Sequence, residues 1–96
     1  MDRNISGGDA FGMTKPHAEL TTRKLFARNV RALRRAREIS QEELAHAAEL
    51  SRTYVSSVER GERNISIDNI GKLAAALGAT PMALLDPELA KRLRGE

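Results

Sequence analysis

From Thr22 onward, apolar residues return at steps of three and four, the period of helices with one buried face, and small polar residues stand where each run begins. Phe26, Val30 and Leu33 form the stripe of a first helix over about Arg23 to Arg37, with Leu25 and Ala36 at its margins. Ser40 and Glu43 have the form of a capping box: the serine hydroxyl accepts from the Glu43 amide while the carboxylate reaches back to the Ser40 amide. A second helix therefore begins at Gln41, with Leu44, Ala45 and Ala48 on its apolar face. Ser51 caps a third helix containing Val55 and Val58, which Gly61 ends. After a polar loop over 62–65, Ser66 caps a fourth helix, for which Ile67, Ile70, Leu73, Ala74 and Leu77 predict a broad apolar face, and Gly78 stops it. Thr80 and Pro81 supply the cap and first-turn proline of a fifth. Asp86 with Pro87 repeats that device, so the C-terminal segment is two short helices or one kinked helix. With no period-two alternation and no internal repeat, the pattern predicts an all-α fold, a compact five-helix bundle.

Residues 1–21 carry Gly7, Gly8, Gly12 and Pro16 without a sustained apolar period, which reads as a flexible N-terminal arm preceding a domain over 22–96. A chain of 96 residues has room for one core. Its zero cysteines exclude disulfides, thiolate-bound zinc and a thiol nucleophile, and fit a reducing cytoplasm, where the protein is expected to reside. Three aromatic residues cannot furnish a stacking platform for single-stranded nucleic acid. Two histidines make no metal site, and no apolar stretch is long enough to span a membrane. An enzyme finds no inventory here: there is no phosphate-binding glycine loop, no HExxH and no motif-fixed pair of carboxylates. His46 reads as a solvated or phosphate-proximal side chain, and no cofactor is expected.

The net charge of +3 is modest, but its distribution is not. Residues 21–40 sum to +6, whereas 1–20 sum to −1 and 41–61 to −2, so the excess cation density sits on the first helix.

The spacing of the caps Ser40 and Ser51 allows a two-turn helix, a tight turn and a second helix, a helix-turn-helix in which Ala45 and Ala48 permit close approach. A plain helical hairpin would satisfy the same apolar pattern. The third helix argues for more, because its expected exposed face presents Arg52, Thr53, Ser56 and Ser57, donors and acceptors of the kind that meet base edges. Its N-terminus also carries partial positive charge toward a polyanion.

The stretch QEELAHAAELSRTYVSSVERG over 41–61, followed by Arg63, Asn64 and the fourth helix, resembles the Cro/repressor-type helix-turn-helix regulators, also called XRE-like. The resemblance covers residues 24–85 and implies a lambda-repressor-like DNA-binding domain. By position it implies that Gln41 meets a phosphate, that Arg52, Thr53, Ser56 and Ser57 face bases or backbone, and that Arg60 and Asn64 lie near phosphates. Ser51 belongs to the same set at the start of the third helix, and Tyr54 is either a packing residue or a phosphate contact. The resemblance also implies an ion pair between Arg34 and Glu59. Glu49 departs from the family, which usually has glycine in this turn. The run RTYVSSVERGERN over 52–64 looks like the controller proteins of restriction-modification systems, in which the positions of Arg52, Thr53 and Arg63 approach base edges.

The expected function is that of a sequence-specific regulator of double-stranded operator DNA, acting as a homodimer on half-sites roughly 34 Å apart. A phage-type repressor, or an antitoxin that binds both DNA and a protein toxin, fits the same residues. The segment after the third helix leaves no room for an effector domain, so no small-molecule effector is expected. Met82, Leu84, Leu85, Leu89 and Leu93 are the apolar residues available to the C-terminal dimer surface, some of them shared with the core.

Overall fold

The computed structural model describes residues 20–95; the arm expected over 1–21 therefore lies outside the described residues except for Leu20 and Thr21. Six helices follow one another: α1 (Thr22–Ala36), α2 (Gln41–Ala48), α3 (Arg52–Glu59), α4 (Ile67–Ala76), α5 (Pro81–Leu84) and α6 (Leu89–Leu93). Among the described residues there is no strand, and the expected fifth helix is resolved into α5 and α6.

The polar residues that punctuate the sequence do the capping. The hydroxyls of Thr21, Ser51, Ser66 and Thr80 accept from the amides of Lys24, Tyr54, Asn69 and Ala83. At α2 both halves of the capping box are present: the Glu43 amide donates to Ser40 Oγ at 3.0 Å, and the Ser40 amide to Glu43 Oε1 at 2.7 Å. Asp86 does not cap α6 directly; its carboxylate accepts from the Glu88 amide at 2.8 Å and pairs with Arg92, closing the turn between α5 and α6.

The core runs through all of the longer helices. Phe26, Val30 and Leu33 of α1 meet Leu44, Ala45 and Ala48 of α2, Val55 and Val58 of α3, Leu73 and Ala74 of α4 with Leu77 at its C-cap, and Leu84 of α5. The alanines let α2 and α3 lie close together, and α2 also packs on α4, while α1 backs both α3 and the C-terminal helices. Ile67 departs from the expected apolar face of α4. It lies on the line of the stripe but in the first helical turn, where nothing covers it, and is 82% exposed.

The C-terminal apolar residues divide cleanly: Leu84 and Leu89 are buried, whereas Met82, Leu85 and Leu93 are exposed. Asn29 is a buried polar residue of α1. Its Nδ2 donates to the carbonyls of Leu84 at 3.0 Å and Asp86 at 2.8 Å, tying α1 to the end of α5. It stands three residues after Phe26 and four before Leu33, a polar residue in an apolar register, and that register is the signal that finds it.

Candidate nucleic-acid interface

The turn between α2 and α3 fixes the motif. Glu49 adopts a left-handed backbone, φ 60° and ψ 41°, and its amide donates to the His46 carbonyl while that of Leu50 returns to Ala45. The conformation that glycine usually supplies is thus held here by a glutamate, at a cost of about 1 kcal/mol that the packing of Leu44, Ala48 and Val55 offsets.

Arg34 and Glu59 clamp the far end of α3. Arg34 Nε donates to Glu59 Oε2 at 2.6 Å and Nη2 to Oε1 at 3.0 Å, a bidentate pair in which Glu59 is only 3% exposed and Arg34 12%. Gln41 Nε2 adds a third donor to the same carboxylate at 3.0 Å. Arg34 Nη1 also donates to the Ile39 carbonyl, and Arg31 donates to the Glu59 carbonyl. One buried carboxylate therefore fixes α1, the start of α2 and the end of α3 relative to one another, which sets the angle at which α3 leaves the bundle.

What α3 presents follows from that angle. Ser51, Arg52 and Thr53 are exposed at its N-terminus, and among the described residues no hydrogen bond or ion pair engages the side chains of Arg52 or Thr53. They stand beside the free amides of the first helical turn, whose partial positive charge favours an anion. Ser56, half-buried, accepts from Arg60 Nη1 at 2.7 Å, and Arg60 also pairs with Glu62 at 3.0 Å. That contact holds the Glu62 carboxyl below its usual range, the Arg60 hydrogen bond being the main cause. Arg60 thus lies partly neutralised on the surface.

Ser57 does not share the exposed face expected of it. Arg52, Thr53, Ser56 and Arg60 fall on one side of the helix, whereas Ser57 is rotated away from it, is 7% exposed, and donates to the Tyr54 carbonyl at 2.8 Å. Its oxygen accepts from Arg63 Nε at 2.8 Å. The Arg63 guanidinium lies over the Tyr54 ring, 4.9 Å from its centroid, and the Tyr54 hydroxyl accepts from Asn69 Nδ2 at 3.0 Å. Arg63 and Asn64 are exposed in the loop after Gly61. That glycine has φ 75°, and a Cβ there would stand 3.2 Å from Lys24 Cγ, so the loop's turn depends on its absence.

The structure thus brings Ser51, Arg52, Thr53, Ser56 and Arg60 onto the surface of one helix, and sets Gln41 against Glu59. The sequence gives no sign of the Asn69–Tyr54 link, since the residues are fifteen apart and Asn69 lies outside the motif that contains Tyr54. Among the described residues no group of His, Asp or Glu is arranged to hold a metal ion, and no helix is long and apolar enough to cross a membrane.

Comparison with known proteins gives this arrangement its context. The helix-turn-helix family matches residues 30–85, more than half of the chain and all of the two helices just described. The chain belongs to the XRE-type helix-turn-helix family. It is a DNA-binding transcriptional regulator and not an enzyme. Among its relatives, the control protein C.BamHI of Bacillus amyloliquefaciens is 51% identical over 65 residues, spanning 67% of this chain and 80% of that one. Of solved structures, the restriction-modification controller protein C.AhdI from Aeromonas hydrophila aligns with a TM-score of 0.63 and 47% identity, over 67% of this chain and 96% of that one. The hypothetical transcription factor NHTF from Neisseria aligns with a TM-score of 0.72 and 43% identity, over 88% of this chain and 95% of that one.

Proposed function

We propose that this helix-turn-helix protein is a homodimeric controller of a restriction-modification operon, and that it reads operator DNA with the N-terminal end of α3. The observation that carries the reading is the uncommitted pair Arg52 and Thr53, exposed on a helix whose other end is clamped by a buried carboxylate. Arg52 suits a bidentate contact with guanine, and Thr53 contributes a hydroxyl and a methyl beside it. Gln41, Ser51 and Asn64 position the protein on phosphates, Ser56 and Arg60 extend the contact along α3, and Arg63 reads a base edge from the loop. Similarity to C.BamHI and C.AhdI supports the assignment to controllers.

One recognition helix reads only a few base pairs, and a second copy doubles the site. Met82, which is 77% exposed, Leu85 and Leu93 supply a C-terminal apolar surface for that copy. Leu84 and Leu89 contribute to the core and not to this surface.

DNase footprinting on DNA upstream of the protein's own gene, with a reporter fused to that promoter, tests the proposal. The expected result is a two-fold symmetric footprint and a reporter that rises and then falls as protein concentration increases. A protein that binds no specific site there, or that captures a toxin and leaves the reporter unchanged, would overturn it.

A further inference from the structure

We infer that Ser57, Tyr54 and Asn69 form a bracket that holds Arg63 in its DNA-reading position, making the buried Ser57 a specificity residue that touches no DNA. The inference rests on the proposed reading of Arg63 as a base-contacting side chain and adds what prepares it.

An arginine in an exposed loop samples many rotamers, and holding it before the ligand arrives removes that loss of freedom from binding. Two contacts hold this one, and a third steadies the ring. Its Nε donates to Ser57 Oγ at 2.8 Å, and its guanidinium lies over the Tyr54 ring, 4.9 Å from the centroid. The ring is held at its far end, where Asn69 Nδ2 donates to the Tyr54 hydroxyl at 3.0 Å. The serine in turn is oriented by donating its own proton to the Tyr54 carbonyl at 2.8 Å, which leaves a lone pair directed at Arg63. Asn69 is fixed by α4, its amide donating to the Ser66 cap at 3.1 Å. The bracket therefore ties the loop to two helices.

Its chemistry also selects a mode of contact. With Nε engaged by Ser57, the terminal nitrogens Nη1 and Nη2 remain without a partner among the described residues. Those two present the parallel N–H pair that matches guanine O6 and N7. Arg63 would thus read guanine end-on, with the Nε side committed to the protein. Ser57 is 7% exposed beneath it and acts only through Arg63.

The test is selection from random-sequence DNA, followed by competition binding with operators changed at single positions, for wild type, Arg63→Ala, Ser57→Ala, Tyr54→Leu and Tyr54→Phe. Arg63→Ala should lower discrimination at one position of each half-site by roughly 5- to 100-fold. Ser57→Ala and Tyr54→Leu should each lower discrimination at that same position by roughly three- to tenfold, leaving preference at the Arg52 position in place. Tyr54→Phe, which keeps the ring and loses only the Asn69 bond, should retain most of it. A purely structural role would lower preference at every position together, and that outcome overturns the bracket. So does a Ser57→Ala logo identical to wild type while the Arg63→Ala logo is flattened. If Arg63→Ala itself leaves the logo unchanged, the base-reading role of Arg63 falls, and the bracket with it. Far-UV circular dichroism confirms that each variant is folded, and Tyr54→Leu decides the question if Ser57→Ala is not.

Discussion

Truncating Arg34 to alanine strips the Glu59 carboxylate of both nitrogens that face it, at 2.6 and 3.0 Å, and leaves Gln41 Nε2 as its remaining side-chain donor. The carboxylate is only 3% exposed, so water cannot replace what is lost without the helices parting. Removing one partner of a buried pair costs about 3 to 5 kcal/mol, and in a domain of this size that lowers Tm by roughly 12 to 40 °C. The two ends of the pair are not equivalent. Arg34 is more exposed than Glu59 and keeps its bond to the Ile39 carbonyl when the carboxylate is removed, so Glu59→Gln should cost less than Arg34→Ala. The double variant Arg34→Met with Glu59→Leu should lose less than the two singles added together, because neither charge is then left buried alone. Thermal and urea unfolding followed by circular dichroism would measure all four proteins. An Arg34→Ala variant melting within about 2 °C of wild type would show that this pair behaves as an exposed one and would refute the clamp.

Three further outcomes follow from particular residues. Glu49→Gly should raise stability by up to about 1 kcal/mol in urea unfolding, since glycine adopts the φ of 60° found there without the steric cost a Cβ brings. Leu84→Asp should unfold the protein, as Leu84 is fully buried, whereas Met82→Asp should stay folded and sediment as a monomer with weakened operator binding. Asp86 is held below its ordinary carboxylate range, first by the Arg92 hydrogen bond and then by the Glu88 amide. Its folded-state pKa being depressed, the stability it contributes is present above its unfolded value and is lost as pH falls through the lowered one. Asp86→Asn should therefore flatten the acid limb of stability below about pH 4 and leave the neutral limb's slope unchanged.

The helices were legible in the sequence because their signals are local: Ser40 with Glu43, Ser51, Ser66 and Thr80 each cap the helix that follows them. The Arg34–Glu59 pair was reached through resemblance, and the geometry supplies its bidentate form and its link to Gln41. What stayed hidden depends on how helices meet. A face drawn from helical spacing assigns Ser57 and Ser56 alike to the surface, and only the packing of α3 against its neighbours turns the first inward. Ile67 fits the α4 stripe by spacing, but spacing does not say where a neighbouring helix stops covering it. The division of Leu84 and Leu89 from Met82 and Leu85 has the same origin: α5 is a single turn, too short for a period to mark its inner face. Glu38, with φ 59°, is a second left-handed residue that no glycine or asparagine announces.

Selection from random-sequence DNA with wild type and Arg52→Ala decides whether α3 reads bases through Arg52. Wild type should select two half-sites about one helical turn apart. Arg52→Ala should lose preference at one position of each, at a cost of roughly 1 to 3 kcal/mol, and Gln41→Ala should weaken all sequences alike. An Arg52→Ala protein that selects the wild-type sequence with undiminished preference would contradict that role.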